Sequence, residues 1–251
     1  MTEMSRFLLA TALLGACASP SPREAERETA ATTESDEGRA PLPGYAGIPA
    51  FETKSGILLR PEDDATCDTL TIYFPGHAQE IGAAGSLPDA KDGSLGPREK
   101  TWIKTLLVTE NYGDLASRIR EHGCPVLLLG DSARAPGPKE VLAAMEASEA
   151  SKLRVLSHSG GYVGLTESLG KWQGSEVPDR IVSIDLLDNF YGKSPALPSA
   201  LRSILGEARL HEICGGFYTS HNRDRYRAKF RSVCPNVKAG ESHKLDVRAF
   251  F

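Results

Sequence analysis

Apolar positions recur along this chain in two rhythms, a short period suited to strands and a longer one suited to helices. Thr69-Leu70-Thr71-Ile72-Tyr73-Phe74 is rich in β-formers and runs into Pro75-Gly76, which predicts a strand that stops there. Tyr112, Leu115 and Ile119 fall on one face of a helix between Asn111 and His122, ended by Gly123. Pro125-Val126-Leu127-Leu128-Leu129-Gly130 is an unbroken apolar run, as expected of a strand covered on both faces. A helix over 139–147, a short strand over 153–156, a helix over 162–169 and a strand over 180–187 come next. A short helix over 201–207, a strand over 211–218, a basic helix over 223–231 and a weak final strand at 237–239 complete the series. Residues 51–59 can add antiparallel edge strands at the start. Such alternation predicts an α/β fold, a mostly parallel sheet with helices on both faces.

The first 44 residues do not share this pattern. Arg6 is followed by the apolar run Phe7 to Leu14, then by Gly15, Ala16 and Cys17. A basic start, a short apolar stretch and small residues before a cut site make an export signal over residues 1–16, too short to remain as a membrane span. Glu3 dilutes the basic start, and Met4 is an alternative first residue. The segment Leu14-Gly15-Ala16-Cys17 resembles the lipobox of bacterial lipoproteins. That resemblance implies that Cys17 becomes the first mature residue and carries the lipid, which anchors the chain in the cell envelope. Ala18 in place of Asp after the cysteine is similar to the outer-membrane sorting pattern. Residues 17–44 are dominated by Pro, Ser, Thr, Ala, Glu and Arg and carry no aromatic until Tyr45. They cannot bury enough apolar surface to offset ordering entropy and read as a disordered tether. Residues 45–251 are the right length for one α/β domain.

Composition narrows the function by exclusion. A formal net charge of −4, without a dense Lys/Arg run, offers no field for nucleic acid. Beyond the N-terminus no apolar run approaches the ~20 residues of a spanning helix, so the body is expected to be soluble. Five cysteines are present. With Cys17 lipidated four remain, an even number that suits an oxidising compartment. Cys67 and Cys124 each precede a predicted strand, so Cys67–Cys124 with Cys214–Cys234 is the preferred pairing.

The chemistry concentrates at Leu156-Ser157-His158-Ser159-Gly160-Gly161. A serine hydroxyl attacks well only where a base takes its proton and fixed donors hold the oxyanion. A nucleophile elbow meets this need by setting the serine on a sharp strand-to-helix turn, with small residues two before and two after it. Here those residues are Ser157 and Gly161, a variant of G-x-S-x-G, with a predicted strand before and a predicted helix after. Elbow, strand order and size together resemble the α/β-hydrolase superfamily over 45–251. The resemblance implies a triad in the chain order Ser, acid, His, at the carboxyl ends of the strands. Ser159 is then the nucleophile and His243 the preferred base, with His221 as the alternative. His77, His122 and His158 fail the order, and His211 falls at the start of a predicted strand. Asp188 is the preferred acid, at the carboxyl end of its strand; Asp224 and Asp185 are the alternatives. The resemblance also assigns the oxyanion hole to the Gly160 amide and an amide of the loop Phe74-Pro75-Gly76-His77-Ala78, from His77 or Ala78.

The whole reading is an exported, lipid-anchored esterase without a cap domain. It acts on small or polymer-linked acyl groups and needs no cofactor or metal. A binding lipoprotein on the same scaffold is the competing expectation. A metal hydrolase finds no H-E-x-x-H or paired Asp/His spacing to support it.

Overall fold

In a computed structural model the described residues are 42–61, 67–76, 95–108, 115–189 and 196–216, with Asp224, Tyr226 and Phe230. All fall within one compact unit that spans 38–251. Packing reaches back to Leu42, whose N–H donates to Ala50 O.

A hairpin of β1 (Ala50–Glu52) and β2 (Gly56–Leu59) opens the sheet. Then come β3 (Thr69–Phe74), α1 (Pro97–Val108), α2 (Leu115–His122) and β4 (Val126–Leu129). The second half holds α3 (Pro138–Ala147), β5 (Lys152–His158), α4 (Tyr162–Trp172), α5 (Val177–Arg180), β6 (Ile181–Leu187), α6 (Ala196–Leu205) and β7 (Ile213–Gly216). The strands form one sheet in the order β1-β2-β4-β3-β5-β6-β7. β1–β2 and β2–β4 are antiparallel, and β4–β3–β5–β6–β7 are parallel. The expected mostly parallel α/β sheet with antiparallel edge strands is therefore present.

Strand alternation assigns each residue to one of two cores. On one face Ile72, Phe74, Leu127, Leu129, Val155, Ile184 and Leu186 pack with α3, α4 and α6. On the other Tyr73, Val126, Leu128, Leu156 and Leu187 pack with Trp102, Ile103 and Leu106 of α1 and Ile119 of α2. The uninterrupted apolar run of β4 thus reflects burial on both sides. Trp172, fully buried at the end of α4, stacks obliquely on Phe74 and donates its indole N–H to Pro136 O at 2.9 Å.

Two departures from the sequence expectation are informative. α1 was not anticipated, because its inward stripe contains Glu99 among Trp102, Ile103 and Leu106. Glu99 is buried by a bidentate pair with Arg134, at 2.6 and 2.8 Å, and also accepts the Gly96 N–H. Likewise 211–218 is not a strand from its first residue. Glu207–Glu212 is a 3₁₀ turn that holds His211, and β7 begins only at Ile213. Arg209 fixes that turn by pairing with Glu212 and donating to the carbonyls of Pro178 and Ile181. The weak strand at 237–239 and most of the basic helix lie outside the described residues.

At the amino end of the sheet, Cys67 and Cys124 precede β3 and β4 and form the expected disulfide, their Cα atoms 5.2 Å apart. Cys214, on β7, is disulfide-bonded as well. Its expected partner Cys234 lies outside the described residues, as does the lipidation candidate Cys17.

Candidate active site

β5 ends at His158 in an extended conformation, and the chain reverses through Ser159–Gly161 before α4 begins. Ser159 takes φ +49°, a left-handed conformation that a serine rarely adopts. Backbone strain of this kind costs on the order of 1–3 kcal/mol and persists only where surrounding contacts enforce it. Those contacts are visible here. Gly161 lies so close to β3 that a β-carbon would collide with the carbonyl oxygens of Phe74 and Pro75. A β-carbon on Gly76, just past β3, would stand 3.1 Å from Ser159 Cβ, so the main chain there approaches the serine closely. On the helix side, the Gly164 N–H donates to Ser132 O at 2.8 Å and ties the first turn of α4 to the loop after β4. The small residue two places after the serine is thus a packing requirement. Ser159 itself is half-buried, and Gly160 is buried.

β6 runs beside β5 with His158 opposite Leu187, neighbouring strands being about 4.8 Å apart. The next residue on each strand is therefore Ser159 on one side and Asp188 on the other. Asp188 also takes φ +49°, is 1% exposed, and donates its N–H to Gly216 O at 2.7 Å. Among the described residues four non-glycines have positive φ, and two of them are these neighbours at the carboxyl edge. Asn189 follows, fully buried, and its Nδ2 donates to Ser157 Oγ and to Ser159 O, both at 2.9 Å.

The other candidate acids stand elsewhere. Asp185 lies within β6, opposite Leu156 of β5 and Cys214 of β7. Its Oδ2 accepts Arg154 Nε at 2.7 Å, and its Oδ1 lies 3.0 Å from the Cys214 sulfur. A disulfide sulfur has no proton to give, so the latter is a contact and not a hydrogen bond. Burial pushes the Asp185 carboxyl above its usual range while the Arg154 guanidinium opposes the shift. Asp224 is exposed.

Of the histidines, His158 is 1% exposed behind the serine turn, and His211 is exposed on its 3₁₀ turn with Nδ1 2.9 Å from Ala208 O. The preferred base His243, the alternative His221 and the oxyanion candidates His77 and Ala78 lie outside the described residues. One site feature, Asn189, escaped the sequence reading. It carries no motif of its own. The signal that could have led to it was Ser157, since a hydroxyl where the pattern has glycine must find a partner once buried.

An open cavity of about 730 Å³ lies between the β1–β2 turn and the outer sides of α3 and α4. It is lined by Lys54, Arg134, Glu140, Glu167 and Lys171 and includes neither Ser159 nor Asp188. Among the described residues no His/Cys/Asp/Glu group could hold a metal ion, and no helix is long and apolar enough to cross a membrane. The chain matches no protein-family model and no curated protein.

Proposed function

We propose that this chain is a serine hydrolase of the α/β-hydrolase fold that cleaves carboxylic esters through an acyl-enzyme. The observation that carries the reading is Ser159 at φ +49° on a tight strand-to-helix turn, beside buried Asp188 at the next strand end. The strand order, with an antiparallel hairpin leading into five parallel strands, supports the same superfamily.

In the proposed reaction His243 takes the Ser159 proton as Oγ bonds to the acyl carbon. The carbonyl electron pair moves onto oxygen, held by the Gly160 amide and by an amide from His77 or Ala78. The tetrahedral adduct then breaks its bond to the alcohol, which leaves with the proton from His243. Water deprotonated by His243 releases the acid and returns the hydrogen to Ser159. Asp188 orients the imidazole and stabilises the imidazolium. No cofactor takes part in this scheme.

The working place proposed is the bacterial cell envelope, with the lipid on Cys17. The Cys67–Cys124 bond supports an oxidising compartment. The substrate class is an acyl ester, free or attached to a polymer. A fluorophosphonate probe tests the reading, with labelling expected on the purified protein and none on Ser159→Ala. Equal labelling of both, or none of the parent protein, would leave the non-catalytic lipoprotein as the better account.

A further inference from the structure

We infer that Asn189 is a positioning residue of this site, its buried amide holding the Ser159 turn in its strained shape. The inference rests on the serine-hydrolase reading. One amide nitrogen with two hydrogens meets two acceptors, Ser157 Oγ and Ser159 O, each at 2.9 Å. The orientation of the amide follows from chemistry. A main-chain carbonyl only accepts, so the group facing Ser159 O must be the nitrogen. Asn189 and Ser157 are both 0% exposed, so water does not compete for the bond between them, and the amide that reaches Ser159 O is itself shut off from solvent.

Two consequences follow from the placement. First, Asn189 explains why the turn tolerates serine at position 157, where the elbow pattern has glycine. The buried hydroxyl is held by the same amide that holds the turn. Second, Asn189 directly follows Asp188, so one dipeptide at the end of β6 supplies the acid and clamps the nucleophile's backbone. The spacing between nucleophile and acid is thereby fixed by a short covalent link and a buried hydrogen bond. Misplacing a reacting group by about 1 Å can cost about 100-fold in rate.

The test uses p-nitrophenyl acetate hydrolysis by the purified full chain, with active sites counted by the fluorophosphonate probe. In Asn189→Ala, kcat per labelled site should fall roughly 10- to 100-fold with KM within about twofold. Asn189→Asp keeps the volume but sets an acceptor against Ser159 O, and the same loss is expected. Ser157→Gly should retain kcat within about threefold, because the amide still holds Ser159 O. Ser157→Gly/Asn189→Ala removes the hydroxyl that Asn189→Ala strands, yet should remain as slow as Asn189→Ala. An unchanged per-site kcat in any folded Asn189 variant overturns the inference. So does loss of the cooperative melt in all of them, which would assign Asn189 to the fold alone. Absence of label on the parent protein sinks the hydrolase reading and this inference together; a labelled parent with unaffected variants sinks the inference alone.

Discussion

Asp185, inside β6, and Asp188, just past its end, sit three residues apart, and both are buried, at 5% and 1% exposure. Asp185 lies inside the sheet, where strand register brings Arg154 of β5 to its carboxylate. Its charge is matched by a neighbour on the adjacent strand, and the pair ties β5 to β6. Asp188 lies one residue past the last rung, with a left-handed backbone and Gly216 O as the acceptor of its N–H. Its place is set by the chain reversal, at the carboxyl edge where such sheets bind ligands. Two aspartates three residues apart are thus held differently, one inside β6 by a cation and one past its end by a chain reversal, and only the second stands at the proposed site.

This contrast can be broken by experiment. Ser159→Ala should lower kcat/KM for p-nitrophenyl acetate by roughly 10⁴-fold or more while leaving the thermal melt nearly unchanged. Asp188→Asn should lower kcat by about 10³- to 10⁴-fold, as expected when the residue orienting the base is lost. If the Asp188 variant keeps full activity and Asp224→Asn does not, the acid belongs to Asp224. For the structural partner the pattern should invert. Arg154→Met leaves the Asp185 carboxylate buried without its cation and should cost about 3 kcal/mol, a drop in melting temperature of roughly 6–12 °C. Its kcat per labelled site should stay within a few-fold. A large per-site loss there would mean that the two aspartates do not act separately.

The smallest effect concerns the exposed His122, at the end of α2, where partial desolvation and then the Arg154 charge hold the imidazole below its ordinary 6.5. The folded chain takes up this proton less readily than the unfolded chain. The histidine's contribution to stability is therefore present above about pH 6.5 and is lost as pH falls toward the lower folded value. Melting temperature should decline between about pH 7 and 5.5, and His122→Gln should flatten part of that decline. Arg154→Met should flatten it less, because partial desolvation is the larger cause. A decline of the same slope in both variants would rule His122 out as its source.

Much of the scaffold was legible because its elements are continuous in sequence. Thr69–Phe74 ends where Pro75-Gly76 ends the β-former run, and β4 and β6 match their apolar runs to within a residue at each end. The Cys67–Cys124 bond could be anticipated because both cysteines stand just before strands that pair. Less legible were elements whose burial depends on distant partners. Glu99 breaks the apolar face of α1 until Arg134, 35 residues on, is brought to it. Arg209 turns the start of an apparent strand into a 3₁₀ turn by reaching carbonyls about thirty residues upstream.

By itself the sequence determined an α/β order of elements, the small residues around Ser159, and a short set of acids with no means of ranking them beyond position. Local propensity and side-chain size govern those features, and both can be read from neighbouring residues. Tertiary structure alone decided that Asp185 meets Arg154, that Ser159 and Asp188 share a left-handed backbone on adjacent strand ends, and that Asn189 reaches across to the serine turn. These depend on strand register and on close approach of main chains. Such contacts join residues about thirty positions apart, and no local pattern records them.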